Sequence, residues 1–122
     1  MQARKIDLEP YPVTFAPKLP DGEYPTYDVR TSLVNLCFIP ELQLNGAALM
    51  LHQKIAQQIL DAGDYVLLAA GDWGRLAETV DKHTGFGRAD VEFVRRVKEA
   101  ALVDVQETQQ KDEAMDNDPT ST

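Results

Sequence analysis

The sequence is poor in cysteine and in long apolar runs, and both shortages limit what the protein can be. Cys37 is the only cysteine among the 122 residues, so no disulfide can form within the chain, and we expect a reducing, cytoplasmic compartment. The purely apolar runs are short, such as VLLAA at 66–70, far below the roughly 20 residues that a membrane-spanning helix needs. The opening MQARKIDLEP also lacks the apolar segment of a signal peptide.

Residues that commonly perform catalysis or bind metals are equally scarce. His52 and His83 are the only histidines, and neither has a partner at a recognised metal-binding spacing. Ser32 lies in a predicted helix without a nucleophile motif, and Ser121 lies in a polar tail. Cys37 falls on the apolar face of the same helix, where a thiol is usually buried and inert. We therefore predict that the protein is not an enzyme and has no catalytic, cofactor-binding or metal-binding residues.

The stretch HTGFGRADVEFVRRV at 83–97 is the nearest approach to a phosphate-binding loop. Gly85 and Gly87 match the first two glycines of a dinucleotide-binding loop, but Asp90 stands where the third glycine is required. A carboxylate at this position would also repel a phosphate from the helix start that follows. The pattern instead indicates a turn between two helices, with Asp90 capping the second one.

The net charge of −8 is distributed unevenly along the chain. Residues 104–122 contain six acidic residues and one lysine, so five of the eight excess negative charges lie in this short tail. An acidic chain does not offer the basic surface that phosphate contacts need, so direct nucleic-acid binding is not expected. The tail lacks aromatic residues and an apolar pattern, which predicts disorder over 104–122.

The rest of the chain divides into two segments of different composition. Residues 1–27 hold five of the seven prolines and four aromatic residues, which predicts an extended arm or a β-hairpin. Residues 28–103 have helical apolar periodicity, which predicts a helical core domain. The expected fold class is α+β, dominated by about four short helices around one core, and a mostly helical fold is the alternative.

The helical periodicity gives specific boundaries and faces. Helices are predicted over 28–38, 47–63, 72–83 and from 90 to about 105, with DYVLLAA at 64–70 as a β-like segment or a buried connector. Asp28 and Asp72 are the expected N-caps of the first and third helices, and Gly63 is the expected left-handed cap of the second. The buried faces are predicted to include Leu51, Ile55, Ile59 and Leu60 in the second helix and Val91, Val94, Val97 and Ala101 in the last.

Four residues around the last turn are candidates for partner binding: Phe86, Arg88, Arg95 and Arg96. Phe86 lies between two glycines, so it either anchors the loop in the core or faces a partner. The spacing of Arg95 and Arg96 allows ion pairs with Glu92, and that of Arg95 with Glu99, on one solvated helix face. The alternative is a small basic patch, because arginine and aromatic residues are enriched at interface hot spots.

The order of these segments resembles small proteins of tailed bacteriophages and prophages. The resemblance rests on YDVRTSLVNLCFIPELQLNG (27–46), HQKIAQQILDAGDYVLLAAGDWGRLAETVDKHTGFG (52–87) and VEFVRRVKEA (91–100), after a β-like opening. It implies a non-catalytic accessory or assembly protein that acts through contacts with a phage or host protein, or with further copies of itself. Its location would be the host cytoplasm or the virion. The alternative is a phage-encoded acidic inhibitor of a host nucleic-acid enzyme.

Overall fold

The computed structural model describes residues 2–105, and their architecture is α+β, which confirms the predicted class. The strands are β1 (Gln2–Asp7), β2 (Tyr11–Pro12), β3 (Thr26–Tyr27), β4 (Tyr65–Ala69) and β5 (Ala101–Asp104). The helices are α1 (Val29–Leu36), α2 (Gly46–Asp61), α3 (Ala70–Lys82) and α4 (Val91–Lys98), with 3₁₀ turns at Pro40–Leu42 and Arg88–Asp90. The disordered tail predicted over 104–122 begins too early, because Asp104 is the last residue of β5, and residues 106–122 lie outside the described residues.

Strand β1 is the centre of a three-stranded antiparallel sheet in the order β4-β1-β5. Ile6 of β1 is fully buried and lies opposite Val66 of β4, while Ala3 lies opposite Val103 of β5. The predicted arm over 1–27 is therefore divided, because its opening residues form the middle of the sheet. Only residues 9–27, called the arm below, run outside this three-stranded sheet. Within the arm, β2 and β3 pair with each other.

The last helix is shorter than predicted, and its expected continuation to about residue 105 is wrong. α4 ends at Lys98, and residues Ala101–Asp104 form strand β5 on the free edge of β1. The predicted burial of two residues is also wrong, because Val91 is 63% exposed and Ala101 is exposed in β5. Val97 is buried as predicted, and Phe93 beside it completes the buried face of α4.

Helix α2 buries a face that is rotated from the predicted one. Ile55 and Ile59 are buried, which confirms part of the prediction, but Leu51 and Leu60 are about half exposed. His52 takes a place in the core and is only 3% exposed. The apolar stripe in the sequence does not show this rotation. The rotation depends on a hydrogen-bond partner for the polar His52 ring inside the core.

A backbone carbonyl makes the burial of His52 tolerable. Its ring Nδ1 lies 2.8 Å from the carbonyl oxygen of Cys37, which follows the end of α1. A carbonyl oxygen only accepts, so Nδ1 carries the hydrogen and donates it. The Cys37 thiol is buried too, as predicted, and its burial raises its pKa to about 12, which disfavours the reactive thiolate.

The helix N-termini agree only partly with the predicted caps. The Asp28 carboxylate accepts a hydrogen bond from the backbone N–H of Thr31 at 3.1 Å, so it caps α1 as predicted. The prediction for Asp72 is wrong, because α3 begins two residues earlier and its N-cap is Ala69. The Asp72 carboxylate instead accepts a hydrogen bond from the Gln58 side chain of α2 at 3.3 Å.

An arginine, rather than a glycine, completes the C-terminus of α2. The prediction of a left-handed cap at Gly63 is wrong, since the glycines with positive φ among the described residues are Gly22 and Gly85. The Arg30 guanidinium of α1 donates instead to the carbonyl oxygens of Ile59, Ala62 and Gly63, at 2.5, 2.8 and 2.6 Å. One side chain thereby satisfies carbonyls that the end of a helix leaves without partners.

The helices pack on one face of the sheet around a single apolar core. Its fully buried members include Ile6 of β1, Leu33 of α1, Leu68 of β4, Leu76 of α3 and Phe93 of α4, so each layer contributes. Among residues 2–105, no helix has both the length and the apolarity to span a bilayer.

Candidate protein-interaction site

Stacked aromatic rings attach the arm to α4. The rings of Tyr11 and Tyr27 lie across the β2–β3 pair with centroids 4.9 Å apart and an interplanar angle of 8°. Tyr27 then packs against Phe93 of α4, with centroids 5.6 Å apart. The Tyr11 hydroxyl donates to the carbonyl oxygen of Ala89 at 2.5 Å, so the start of the arm is fixed just before α4.

Asp90 has a different role from the predicted one. It immediately precedes α4, but its carboxylate makes no capping hydrogen bond to that helix. Its Oδ1 accepts from the Tyr27 hydroxyl at 2.5 Å and its Oδ2 from the backbone N–H of Gly87 at 2.7 Å. Burial and this carboxylate raise the pKa of the Tyr27 hydroxyl well above its usual range. Asp90 therefore ties the arm to the loop instead of stabilising the helix.

The structure uses Arg96 to hold its own chain together. Its side chain is only 14% exposed and donates to the backbone carbonyls of Glu9 at 2.7 Å and Asp7 at 3.3 Å. It also pairs with the Glu92 carboxylate at 2.9 Å and lies 5.0 Å from the centroid of the Tyr11 ring. Little of the Arg96 guanidinium remains for a second molecule.

Arg95 lies on the exposed side of α4, where it forms solvated ion pairs. It donates to the Glu92 carboxylate and comes within 3.9 Å of Glu99, and its side chain is 54% exposed. Hydrogen bonds from Arg96 and Arg95 lower the pKa of Glu92 below its usual value. The salt-bridged face expected from the helical spacing is therefore present at these two arginines.

Arg88 differs from the other two arginines, because no carboxylate in residues 2–105 lies within ion-pair distance of it. Its guanidinium carbon lies 4.4 Å from the ring centroid of Phe15 in the arm. Phe15 is 48% exposed, so this cation–π contact is made at the surface and leaves the N–H groups of Arg88 accessible.

Arg88 and Phe15 border an apolar depression between the arm and α4, called the arm–α4 groove here. Its volume is about 410 Å³. The groove is lined by Tyr11, Pro12, Val13, Thr14, Phe15, Arg88, Ala89, Val91 and Glu92. Because the Val91 side chain and the Phe15 ring are both about half exposed or more, a partner that filled the groove would remove apolar surface from water.

Phe86 lies outside this groove and acts as a loop anchor. Its ring is partly buried against the core and meets the His83 ring edge-on at a centroid distance of 4.7 Å. His83 closes the C-terminus of α3, and its Nδ1 lies 2.8 Å from the Glu41 carboxylate. The contact fixes the loop that leads to α4. Phe86 therefore anchors this loop in the core, which is the first of its two predicted roles.

Of the four residues predicted to bind a partner, the structure therefore places only Arg88 at the groove. Sequence reasoning missed Phe15 and Val91, the exposed large hydrophobic residues of the groove. The proline-rich setting of Phe15 was the available signal, because a short irregular segment cannot bury every aromatic residue that it carries. No signal marked Val91, which fits the helical stripe.

The described part of the chain contains no cluster of three or more His, Cys, Asp or Glu side chains that could hold a metal ion. Comparisons of the chain with protein-family models, with curated proteins and with solved structures found no significant match.

Proposed function

We propose that the protein is a non-catalytic, phage-type protein that acts through protein–protein contacts in virion or tail assembly. The observation that carries this proposal is the arm–α4 groove, in which exposed apolar side chains lie beside an arginine without an ion-pair partner among the described residues. Apolar anchors next to arginine are typical of the energetically dominant part of a protein interface. The resemblance to tailed-phage proteins supplies the assembly context.

The chemistry of the groove defines the partner segment that would fit it. The apolar walls at Phe15 and Val91 favour an inserted aliphatic or aromatic side chain. The free N–H groups of Arg88 favour a carboxylate beside that side chain, because a guanidinium binds a carboxylate with two parallel hydrogen bonds. We therefore expect a partner segment that carries an acidic residue next to an apolar one.

Site-specific photocrosslinking tests this proposal. A photoreactive residue replaces Thr14, which lines the groove, and a matched control carries the same group at Gln57 on the exposed side of α2. In phage-infected cells, the probe at position 14 should give one discrete product with a phage or host protein, and the control should not. Adding Val91→Asp should abolish the product, since it places an unpaired charge in the apolar wall.

The oligomeric state is measured on the same variants by light scattering. A product between two copies of the chain would identify the partner as the protein itself, and the mass in solution should then be a multiple of the monomer. A strict monomer whose probe at position 14 captures the same proteins as the control at position 57 would contradict the proposed function.

A second candidate function, inhibition of a host nucleic-acid enzyme by charge mimicry, rests on the concentration of acidic residues after Val103. Removing residues 106–122 tests it without disturbing β5, which ends at Asp104. Charge mimicry predicts that the truncated chain no longer binds its target, whereas binding through the groove should survive the truncation unchanged.

A further inference from the structure

A polar recess lies between the start of α2 and the second half of α3, on elements that do not contribute to the arm–α4 groove. Its volume is about 150 Å³, well above the roughly 10–15 Å³ that one water molecule needs. Its charged lining consists of Arg75, Glu78 and Lys82 of α3, and the buried His52 of α2 lies at its inner end. The recess is therefore large enough for a small anion.

Arg75 is a partly buried cation without a carboxylate partner in residues 2–105. The polar contact of its guanidinium is Nη1 to Nε2 of His52, at 3.5 Å. That separation is beyond the usual range for a hydrogen bond, so the contact offsets little of the cost of removing the charge from water. An anion in the recess would supply the missing counter-charge.

His52 contributes a hydrogen-bond acceptor to the same space. Its Nδ1 donates to the carbonyl of Cys37 at 2.8 Å, so in the neutral ring Nε2 carries a lone pair and no hydrogen. Nε2 faces the Arg75 guanidinium, both residues line the recess, and the long contact between them leaves Nε2 poorly satisfied. A buried acceptor of this kind favours a ligand that brings a hydrogen.

The positive end of α2 adds to the field in the recess. Asn45 caps this helix of 16 residues by accepting from the N–H of Ala48, and both residues line the recess. The first turn of α2 contains no acidic residue that would oppose an anion there. The carboxylate of Glu78 lies 4.0 Å from Nζ of Lys82 and offsets one positive charge. Because Arg75 and Lys82 are both cationic, the net charge of the lining remains positive.

We propose that this recess binds a single free hydrogen phosphate ion. The Arg75 guanidinium and the Lys82 ammonium donate to its charged oxygens, and its P–OH group donates to Nε2 of His52. The negative ion thereby gives Arg75 a counter-charge, and its hydrogen gives Nε2 of His52 a closer donor than Arg75. Sulfate has the same shape and charge but carries no hydrogen at neutral pH, so it leaves Nε2 with only the long contact to Arg75.

Titration calorimetry of the full chain at pH 7.0 with inorganic phosphate, sulfate and O-phosphoserine tests the site. We expect one phosphate per chain and at least roughly tenfold weaker binding of sulfate, the ratio expected for one lost hydrogen bond to a charged ligand. O-phosphoserine, whose phosphate has largely lost its hydrogen at this pH because its second pKa is about 6, should also bind more weakly. Sulfate or phosphoserine binding as tightly as phosphate would overturn the proposal, as would no phosphate binding.

Matched substitutions separate this site from general attraction of anions. Arg75→Gln should weaken phosphate binding by roughly tenfold or more, whereas Arg95→Gln, at an exposed arginine of α4, should leave it unchanged. Glu78→Gln should strengthen binding severalfold, because it removes the carboxylate from the lining. Thermal denaturation verifies that each variant folds. If Arg75→Gln does not fold, Glu78→Gln decides the question, because Glu78 is largely exposed, and unchanged affinity in that variant would overturn the proposal.

Discussion

Replacing Arg30 by methionine should destabilise the protein strongly, although the arginine touches no part of either proposed site. The methionine keeps most of the side-chain length but loses the three hydrogen bonds to the carbonyls of Ile59, Ala62 and Gly63. It also removes a positive charge from the negative end of the α2 dipole.

The size of the effect follows from these contacts. A hydrogen bond to a charged group contributes about 1.5–3 kcal/mol when it is sheltered from water. Gly63 is exposed and water can replace part of the lost bonding there, so the total is well below three full contributions. We expect a loss of about 2–4 kcal/mol in the free energy of unfolding, which corresponds to a fall of roughly 10 °C in Tm for a domain of this size.

Urea denaturation, followed by circular dichroism, measures this loss. The midpoint should fall while the slope of the transition stays constant, because the same surface is exposed on unfolding. Lys54→Met is the matched control, since Lys54 is exposed on α2 and its loss should change stability by less than about 0.5 kcal/mol. Arg30→Lys should recover only part of the loss, since one ammonium cannot match the planar fork of a guanidinium. If Arg30→Met behaves like the control, the inference that Arg30 stabilises the end of α2 is wrong.

Three further predictions concern titration, thiol reactivity and the turn before α4. Because its arginine partners lower the pKa of Glu92 in the folded state, its stabilising contribution is present above the unfolded pKa of about 4.3 and is lost as pH falls through the folded value. Glu92→Gln should therefore flatten the acid limb of a plot of Tm against pH. Cys37, whose thiol has a pKa of about 12, should react with a disulfide reagent only after urea unfolds the chain; rapid reaction of the folded protein would contradict its burial. Gly85→Ala should cost about 1 kcal/mol, because the φ of Gly85 is +98°. Gly87→Ala should cost less, since its φ of −112° suits any residue, and equal losses in thermal denaturation would show that the positive φ of Gly85 is not what makes alanine costly there.

Local features of the fold were predictable from the sequence, and pairings between distant segments were not. The cap at Asp28 and the β-like character of 64–70 depend on neighbouring residues, and both predictions are confirmed. Residues Ala101–Asp104 are compatible with a continued helix, and only the free edge of β1 turns them into a strand. The sequence contains no local sign that this edge is nearby.

The candidate groove was harder to predict than the fold. Arg88, Arg95 and Arg96 all lie near acidic residues, and helical spacing pairs only Arg95 and Arg96 with Glu92. The sequence does not show that the arm carries backbone carbonyls to Arg96 and an aromatic ring to Arg88. The position of the arm determines that Arg96 is structural and that Arg88 is available to a partner. The stacked rings of Tyr11 and Tyr27 set that position.

The central place of β1 in the sheet also constrains how the protein folds. Its two neighbours come from far along the chain, since Lys5 lies opposite both Leu67 and Ala101. Contacts of such long sequence separation form late and slow the folding of a small domain. The helices between them can begin to form from local interactions, but the sheet is completed only when residues from both ends meet. We therefore expect α1 to α4 and the sheet to unfold in one transition, with neither half of the chain stable alone.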